Sequence, residues 1–212
     1  MISVGIIGAS GFTGSELLRI CASHPLFEVK VATAETHLGK QVAELYPNLA
    51  LEYPSLEFTS KDSELLDECK LIFLGLPHGA SQHLVPNLLD GEKIVVDLGS
   101  DFRLKDKDLY PEWYAETHLA PELLEGAAYG LPELFRSFLP EASLIASPGC
   151  YPTSSALALA PFLRGGLIEE TGIIVDAASG VSGAGRNPTT SNSFCSVGEN
   201  FSAYGLISHR HT

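Results

Sequence analysis

Basic residues are scarce in this chain. Thirteen Lys and Arg stand against 26 Asp and Glu in 212 residues, a formal net charge of -13 at pH 7. That balance leaves no basic surface for neutralising phosphates, which excludes non-specific binding to nucleic acid or to an acidic membrane. An anionic substrate would have to be held by a few local arginines. Cysteine is sparse as well: Cys21, Cys69, Cys150 and Cys195 are scattered without a CxxC pair, so neither a zinc cage nor a disulfide framework is indicated and no metal is expected. A reducing cytoplasm fits this usage. No apolar stretch approaches the ~18 residues of a membrane span. The opening Met1-Ile2-Ser3-Val4-Gly5-Ile6-Ile7 lacks the basic segment and long apolar run of a signal peptide, and no repeat or low-complexity tract is present.

Core material, in contrast, is plentiful. Hydrophobic residues make up 45% and charged residues 18%, ordinary for a soluble globular enzyme, and the length suits one large α/β domain or one domain plus part of another. The apolar run from Ile2 to Ile7 reads as a buried strand. It leads into Gly8-Ala9-Ser10-Gly11-Phe12-Thr13-Gly14, and a helix with Leu17, Leu18 and Ile20 on its apolar face follows to about Ser23. Strand, glycine turn and helix in that order open a dinucleotide-binding βαβ unit, in which small residues admit backbone N–H groups to a pyrophosphate. The spacing is GxxGxxG rather than GxGxxG. A tight turn without a ligand is the alternative.

Residues 27–32 read as the second strand. In the loop after it, Glu35 leans towards NAD and a free ribose hydroxyl, whereas Thr33, Thr36, His37 and Lys40 suit a 2′-phosphate. A helix is expected over 62–69, with Cys69 in the core, and Leu71-Ile72-Phe73-Leu74 is a buried strand. It runs into Gly75-Leu76-Pro77-His78-Gly79 at the sheet edge where ligands bind. There His78 faces the nicotinamide side or is a loop residue. A helix over 80–89 and a strand over 94–97 lead to Leu98-Gly99-Ser100-Asp101-Phe102-Arg103; Arg103 is placed to hold an anion, and a structural pairing with Asp101 is the equal alternative. The stretch 110–129 reads as an excursion over the sheet whose aromatics are core, and Gly130-Leu131-Pro132-Glu133 as a turn.

The chain is organised around Ser147-Pro148-Gly149-Cys150-Tyr151-Pro152-Thr153. A short strand, Leu144-Ile145-Ala146, precedes it, and the Ala- and Leu-rich segment 154–163 follows as a helix that Pro152 starts without losing a backbone bond. Cys150 therefore lies at a helix N-terminus, where the macrodipole favours thiolate over thiol. An inert thiol is the bland alternative. Another strand is expected over 173–177. It opens into Ser179-Gly180-Val181-Ser182-Gly183-Ala184-Gly185-Arg186, a loop composition suited to close approach to a ligand, with Arg186 as an anion clamp. Cys195 reads as a buried small residue. Of His209 and His211, on alternate positions of an extended segment, at most one faces the cysteine.

A dinucleotide site, an activated cysteine, a late histidine and arginines near ligand loops define a reaction class. Thiolate attack on an activated acyl group gives a thioester, and hydride from a nicotinamide releases an aldehyde, while the histidine manages the proton. These motifs, in this order and approximate spacing, resemble the N-acetyl-γ-glutamyl-phosphate reductase family over essentially the whole chain, Pro148-Gly149-Cys150-Tyr151-Pro152-Thr153 being the most specific.

The resemblance implies an α/β fold: a Rossmann-type doubly wound nucleotide-binding domain over 1–148, then part of an α+β catalytic/dimerisation domain over 149–212. It implies NADPH-dependent reduction of N-acetylglutamyl 5-phosphate to the semialdehyde in arginine biosynthesis, in a cytoplasmic homo-oligomer. Cys150 matches the nucleophile and His209 the acid/base residue. Gly8, Ser10, Gly11, Phe12, Thr13 and Gly14 match the cofactor turn, and Ser182 and Gly183 a loop reaching cofactor and active site; the implied acyl phosphate and carboxylate need cationic partners, for which Arg103, Arg186 and Arg210 are the candidates. Family members continue past His209, so the chain reads as truncated at its C-terminus, with an exposed sheet edge and weak activity expected. Two other readings stay open: a related acyl-phosphate reductase acting on aspartate semialdehyde or a one-carbon-longer lysine precursor, and a nucleotide-sensing module without catalysis.

Overall fold

The structure, a computed structural model, describes residues 1–206 apart from Asp90. Strand β1 (Ile2–Ile7) is buried over its last four residues. A run buried on both faces belongs in the middle of a parallel sheet, because polar alternation would put a face in water. β1 takes that place. With β2 (Phe27–Thr33), β3 (Phe58–Thr59), β4 (Leu71–Leu74), β5 (Ile94–Asp97), β6 (Ala128–Tyr129) and β7 (Leu144–Ala146) it forms a seven-stranded sheet of order β3-β2-β1-β4-β5-β7-β6. Every pairing is parallel. The direction of winding reverses between β1 and β4, so a ligand crevice opens at their carboxyl ends.

The two faces of β1 explain the two cores. Val4 and Ile6 pack with Leu18 and Cys21 of helix α1 (Phe12–Ser23), and with Val42 and Phe58. Ile7 faces the other way and joins Ile72, Leu74, Val85, Val95, Phe102 and Tyr110. Tyr110 and Phe102 bring the excursion into this second layer, as its aromatic content suggests. Burying such side chains contributes roughly 1.5–3 kcal/mol each, before the entropy of ordering them is subtracted.

The helix expected over 62–69 is a five-residue 3-10 segment, Glu64–Glu68. Cys69 is already extended, two residues before β4, and the span left is too short to propagate an α-helix. Cys69 is buried. Strand β6, two residues long, lies at the end of the 110–129 excursion, where the sequence predicts no strand.

The chain divides into two compact units, Met1–Pro148 and Gly149–Thr212. The second contains a fifteen-residue helix, Cys150–Arg164, the 3-10 turns Val181–Ala184 and Thr190–Asn192, and the short helix Phe194–Val197. The strand expected over 173–177 is not formed, and Ile174 is 87% exposed. A strand needs a neighbour to take its N–H and C=O groups, and none of the described residues in this unit forms one. Cys195, expected to be buried, is exposed. No described residue of this unit is buried, so its short helix has no core to enter.

Candidate active site

The glycine turn is shaped by close approach. At Gly8 φ is +84°, and a Cβ there would lie 2.4 Å from the carbonyl oxygen of Gly75, so the exits of β1 and β4 almost touch. Gly75 N–H donates to Ile7 O at 2.8 Å, and Ala9 N–H to Thr33 O at 2.8 Å, fastening the turn to the strands on both sides. At Gly14 a Cβ would lie 2.4 Å from Gly8 O, so α1 is pressed against the turn. Gly11, at the N-cap, offers α1 no side-chain cap. The N–H groups of Phe12, Thr13 and Gly14 therefore present the positive end of the helix at the crevice, a cradle that fits a dinucleotide pyrophosphate. Tyr46 supports it from below by donating to Ser10 O at 2.7 Å and Gly11 O at 3.3 Å. Its distance of 35 or 36 residues from those partners hid that role in the sequence.

Beyond β2, Glu35 does not present an unengaged carboxylate. Its Oε1 accepts from Lys61 N–H at 2.8 Å and from Ser60 Oγ at 3.3 Å, tying the loop to the segment after β3. Thr33 is buried, with Oγ1 accepting from Gly8 N–H at 3.4 Å. Thr36 and His37 pair at the surface, Oγ1 to Nδ1, 2.9 Å.

The loops after β4 and β5 are joined by Asp101. Its fully buried carboxylate accepts from Gly79 N–H (2.9 Å), Ser81 N–H (3.0 Å) and Gln82 N–H (3.3 Å). His78 Nδ1 approaches the same carboxylate at 2.9 Å and Ser100 Oγ at 2.6 Å. Its Nε2 lies 3.0 Å from Glu116 Oε1 without a well-directed hydrogen bond. These three residues form the one His/Asp/Glu grouping of metal-ligand size among the described residues, but with the Asp101 oxygens taken up by backbone N–H groups it is a hydrogen-bond network.

Of the two alternatives for Arg103, the pairing with Asp101 is not formed. Arg103 instead donates from Nε to Ser147 O at 2.7 Å and from Nη2 to Leu98 O at 3.0 Å, across the exits of β5 and β7. Asp97, at the end of β5, is wholly buried and accepts from Ser81 Oγ (2.8 Å) and Gly99 N–H (2.9 Å). Burial pushes its carboxyl up to about 6, against the pull of those two donors.

In the second unit Cys150 is the first residue of its helix and is exposed. The helix starts at Cys150, two residues ahead of Pro152, which falls in the first turn, where no intrahelical donor is required. Thr153 Oγ1 and N–H both return to Gly149 O, at 2.9 and 3.0 Å, and fix that turn. Tyr204 OH donates to Tyr151 OH at 2.7 Å, which brings the late part of this unit beside the cysteine turn. Ser182 and Gly183 lie in the Val181–Ala184 turn, closed by Gly185 N–H to Ser182 O at 3.0 Å. Arg186 follows it. His209 and Arg210, named from the sequence, lie outside the described residues.

Comparison with known proteins agrees with this geometry. The sequence profile of the semialdehyde dehydrogenase NAD binding domain matches residues 3–142, and that of the semialdehyde dehydrogenase dimerisation domain matches residues 150–212. The N-acetyl-gamma-glutamyl-phosphate reductase of Ectopseudomonas mendocina is 47% identical over 211 residues, covering 100% of this chain and 61% of that protein. Its counterpart in Pseudomonas aeruginosa is 46% identical with the same coverage. The chain thus spans 61% of the length of these curated relatives. Among solved structures, aspartate semialdehyde dehydrogenase II of Vibrio cholerae, complexed with ASA, superposes with a TM-score of 0.61 at 15% identity, over 88% of this chain and 48% of that one. Aspartate semialdehyde dehydrogenase of Candida albicans, solved with NADP, gives a TM-score of 0.55 at 14% identity, over 77% and 47%. At these identities the superpositions establish the doubly wound fold. With the NAD binding profile over most of its length and close relatives along all of it, the chain belongs to the semialdehyde dehydrogenase family.

Proposed function

We propose that this chain carries out NADPH-dependent reduction of N-acetyl-L-glutamyl 5-phosphate to the 5-semialdehyde and phosphate, a step of arginine biosynthesis. The observation that carries the reading is Cys150, exposed at the first position of a fifteen-residue helix, in a chain 47% identical throughout to a reductase of that name. The Cys150 thiolate attacks the acyl carbon, the carbon–oxygen bond to phosphate breaks, and phosphate leaves a thioester on Sγ. Bound NADPH supplies hydride to the thioester carbon. His209 protonates the resulting oxyanion as the hemithioacetal forms and takes that proton back as the carbon–sulfur bond breaks, which releases the semialdehyde and returns Sγ as thiolate.

The turn from Gly8 to Gly14 holds the pyrophosphate, and by the family resemblance Ser182 and Gly183 are further cofactor residues. The engagement of Glu35 with Lys61 and Ser60 supports NADP over NAD, since a carboxylate already committed to the next loop is a poor partner for a ribose diol. Arg103 spends two of its five N–H donors on carbonyls and keeps the rest for an anionic substrate group; Arg186 and Arg210 complete the cationic set. The match to a dimerisation domain supports a homo-oligomer. Four free cysteines, two of them exposed, support a reducing cytoplasmic location. No helix among the described residues is long and apolar enough to cross a membrane.

The test is spectrophotometric. Purified protein receives N-acetylglutamate semialdehyde, phosphate and either NADP or NAD, and absorbance of the reduced cofactor is followed. Formation that requires phosphate, prefers NADP and stops when Cys150 is alkylated is the expected result. Cofactor binding without turnover or acylation of Cys150 would overturn the reductase reading in favour of a sensor.

A further inference from the structure

Resting on the dinucleotide reading, we propose that Asp101 is a positioning residue for the nicotinamide half of the cofactor. Its buried carboxylate presets the loop after β4 and denies phosphate the helix N-terminus behind that loop.

A doubly wound sheet offers two strand–turn–helix units at its switch point, one for each mononucleotide half. Here the two differ in one respect. The helix after β1, Phe12–Ser23, has Gly11 at its N-cap and no side-chain cap, which leaves its N–H groups for the pyrophosphate. The helix after β4, Ser81–Leu88, also lacks a cap from its own N-cap residue, Ala80. Asp101, twenty residues on, supplies one by accepting from Ser81 N–H and Gln82 N–H. A negative charge already seated at that terminus repels a second one. The pyrophosphate is therefore directed to α1, and the register of the dinucleotide across the crevice is set.

The same carboxylate shapes the loop. Gly79 N–H and His78 Nδ1 both turn towards Oδ1, so four donors from residues 78–82 converge on one side chain. The loop starts at Gly75, whose carbonyl lies against Gly8, so any shift in it reaches the crevice. The outer end is held by the excursion: Gln82 Nε2 donates to Glu116 Oε1 at 2.8 Å, and Leu119 N–H to Gln82 Oε1 at 2.6 Å. Asp101 O in turn meets His118 Nε2 at 2.7 Å.

The experiment compares two ligands on one protein: NADPH, followed by fluorescence, and 2′,5′-ADP, followed by calorimetry. The second ligand lacks the nicotinamide half. In Asp101→Asn an amide N–H₂ meets backbone donors, and the loop must rearrange. The expected result is about 10-fold or more weaker NADPH binding with 2′,5′-ADP affinity held within about twofold. Equal losses for both ligands would make Asp101 a general stabiliser, and unchanged NADPH binding would remove the role altogether. Should Asp101→Asn fail to fold by circular dichroism, His78→Phe is the second variant. It removes one of the four donors while keeping a ring against Tyr114, 4.6 Å away in the native chain. A loss of about threefold confined to NADPH supports the proposal, and no selective loss overturns it. Wild-type protein that binds neither ligand would overturn the dinucleotide reading itself, and the proposal with it.

Discussion

A thiol at a helix start and a carboxyl sealed in a core meet opposite electrostatic conditions in this chain. Cys150 is exposed at the first position of its helix, with Sγ open to an incoming acyl group. Replacing sulfur by the far less acidic hydroxyl in Cys150→Ser should lower reductase turnover by at least about 10³-fold and leave NADPH affinity unchanged. Single-turnover assays beside fluorescence titration check both halves. Asp97 ends β5 with no exposure, and burial pushes its carboxyl up to about 6 from an ordinary 3.8. The folded state therefore holds a proton that the unfolded chain releases at lower pH. Stability is full below about pH 4 and declines as the pH rises through about 6, by roughly 3 kcal/mol from this group. Asp97→Asn cannot ionise, so urea melts between about pH 4.5 and 8 should show a flatter profile than wild type. The change in slope is the readout, because the amide N–H₂ left without an acceptor costs about 1–3 kcal/mol at every pH.

At the scale of elements, the glycine turn separates two costs that a glycine replacement can carry. Gly39 has φ of +77° with open space around its missing Cβ, whereas Gly8 has φ of +84° and the Gly75 carbonyl 2.4 Å away. Gly39→Ala should cost about 1 kcal/mol, the strain of the left-handed region alone. Gly8→Ala should cost at least about 3 kcal/mol and weaken NADPH binding, because the exits of β1 and β4 must separate. Chemical denaturation and cofactor titration of the pair would check this. That turn was legible in the sequence because local signals agree there: an apolar run, glycines at every third position, then helical spacing. Strands β1, β4, β5 and β7 were legible for the same reason. What was hidden depends on contacts across the chain. Tyr46 reaches Ser10 over 36 residues, and Asp101 reaches Gly79 over 22, with nothing local to announce either pairing. Conversely, Ile173-Ile174-Val175 has a strand's composition and stays unpaired, since β propensity expresses fit to a neighbour rather than a property of the segment. The candidate site was legible as a set of motifs; the partners of Glu35, Asp101 and Arg103 were not.

Over the whole molecule, apolar exposure and charge are in competition. The unit from Met1 to Pro148 has two buried cores beside scattered exposed apolar residues such as Leu51 and Phe138, while in the other unit, where no described residue is buried, Leu167, Ile174, Phe194, Phe201 and Leu206 are each more than 70% exposed. Their match to a dimerisation domain makes a second copy of the chain the expected cover. Opposing this, each copy carries a formal charge of -13. Repulsion between copies acts over about 10 Å at 0.1 M salt and about 3 Å at 1 M, whereas apolar burial is not screened. Sedimentation velocity should therefore show association strengthening as salt is raised from about 0.02 to about 0.5 M. Ile174→Lys separates the two forces: it makes the chain less negative, which by charge alone would promote association, yet it places an ammonium in the apolar contact. Weaker association of this variant at every salt concentration would assign the assembly to the apolar surface of the second unit. Stronger association would show that relief of charge repulsion governs it.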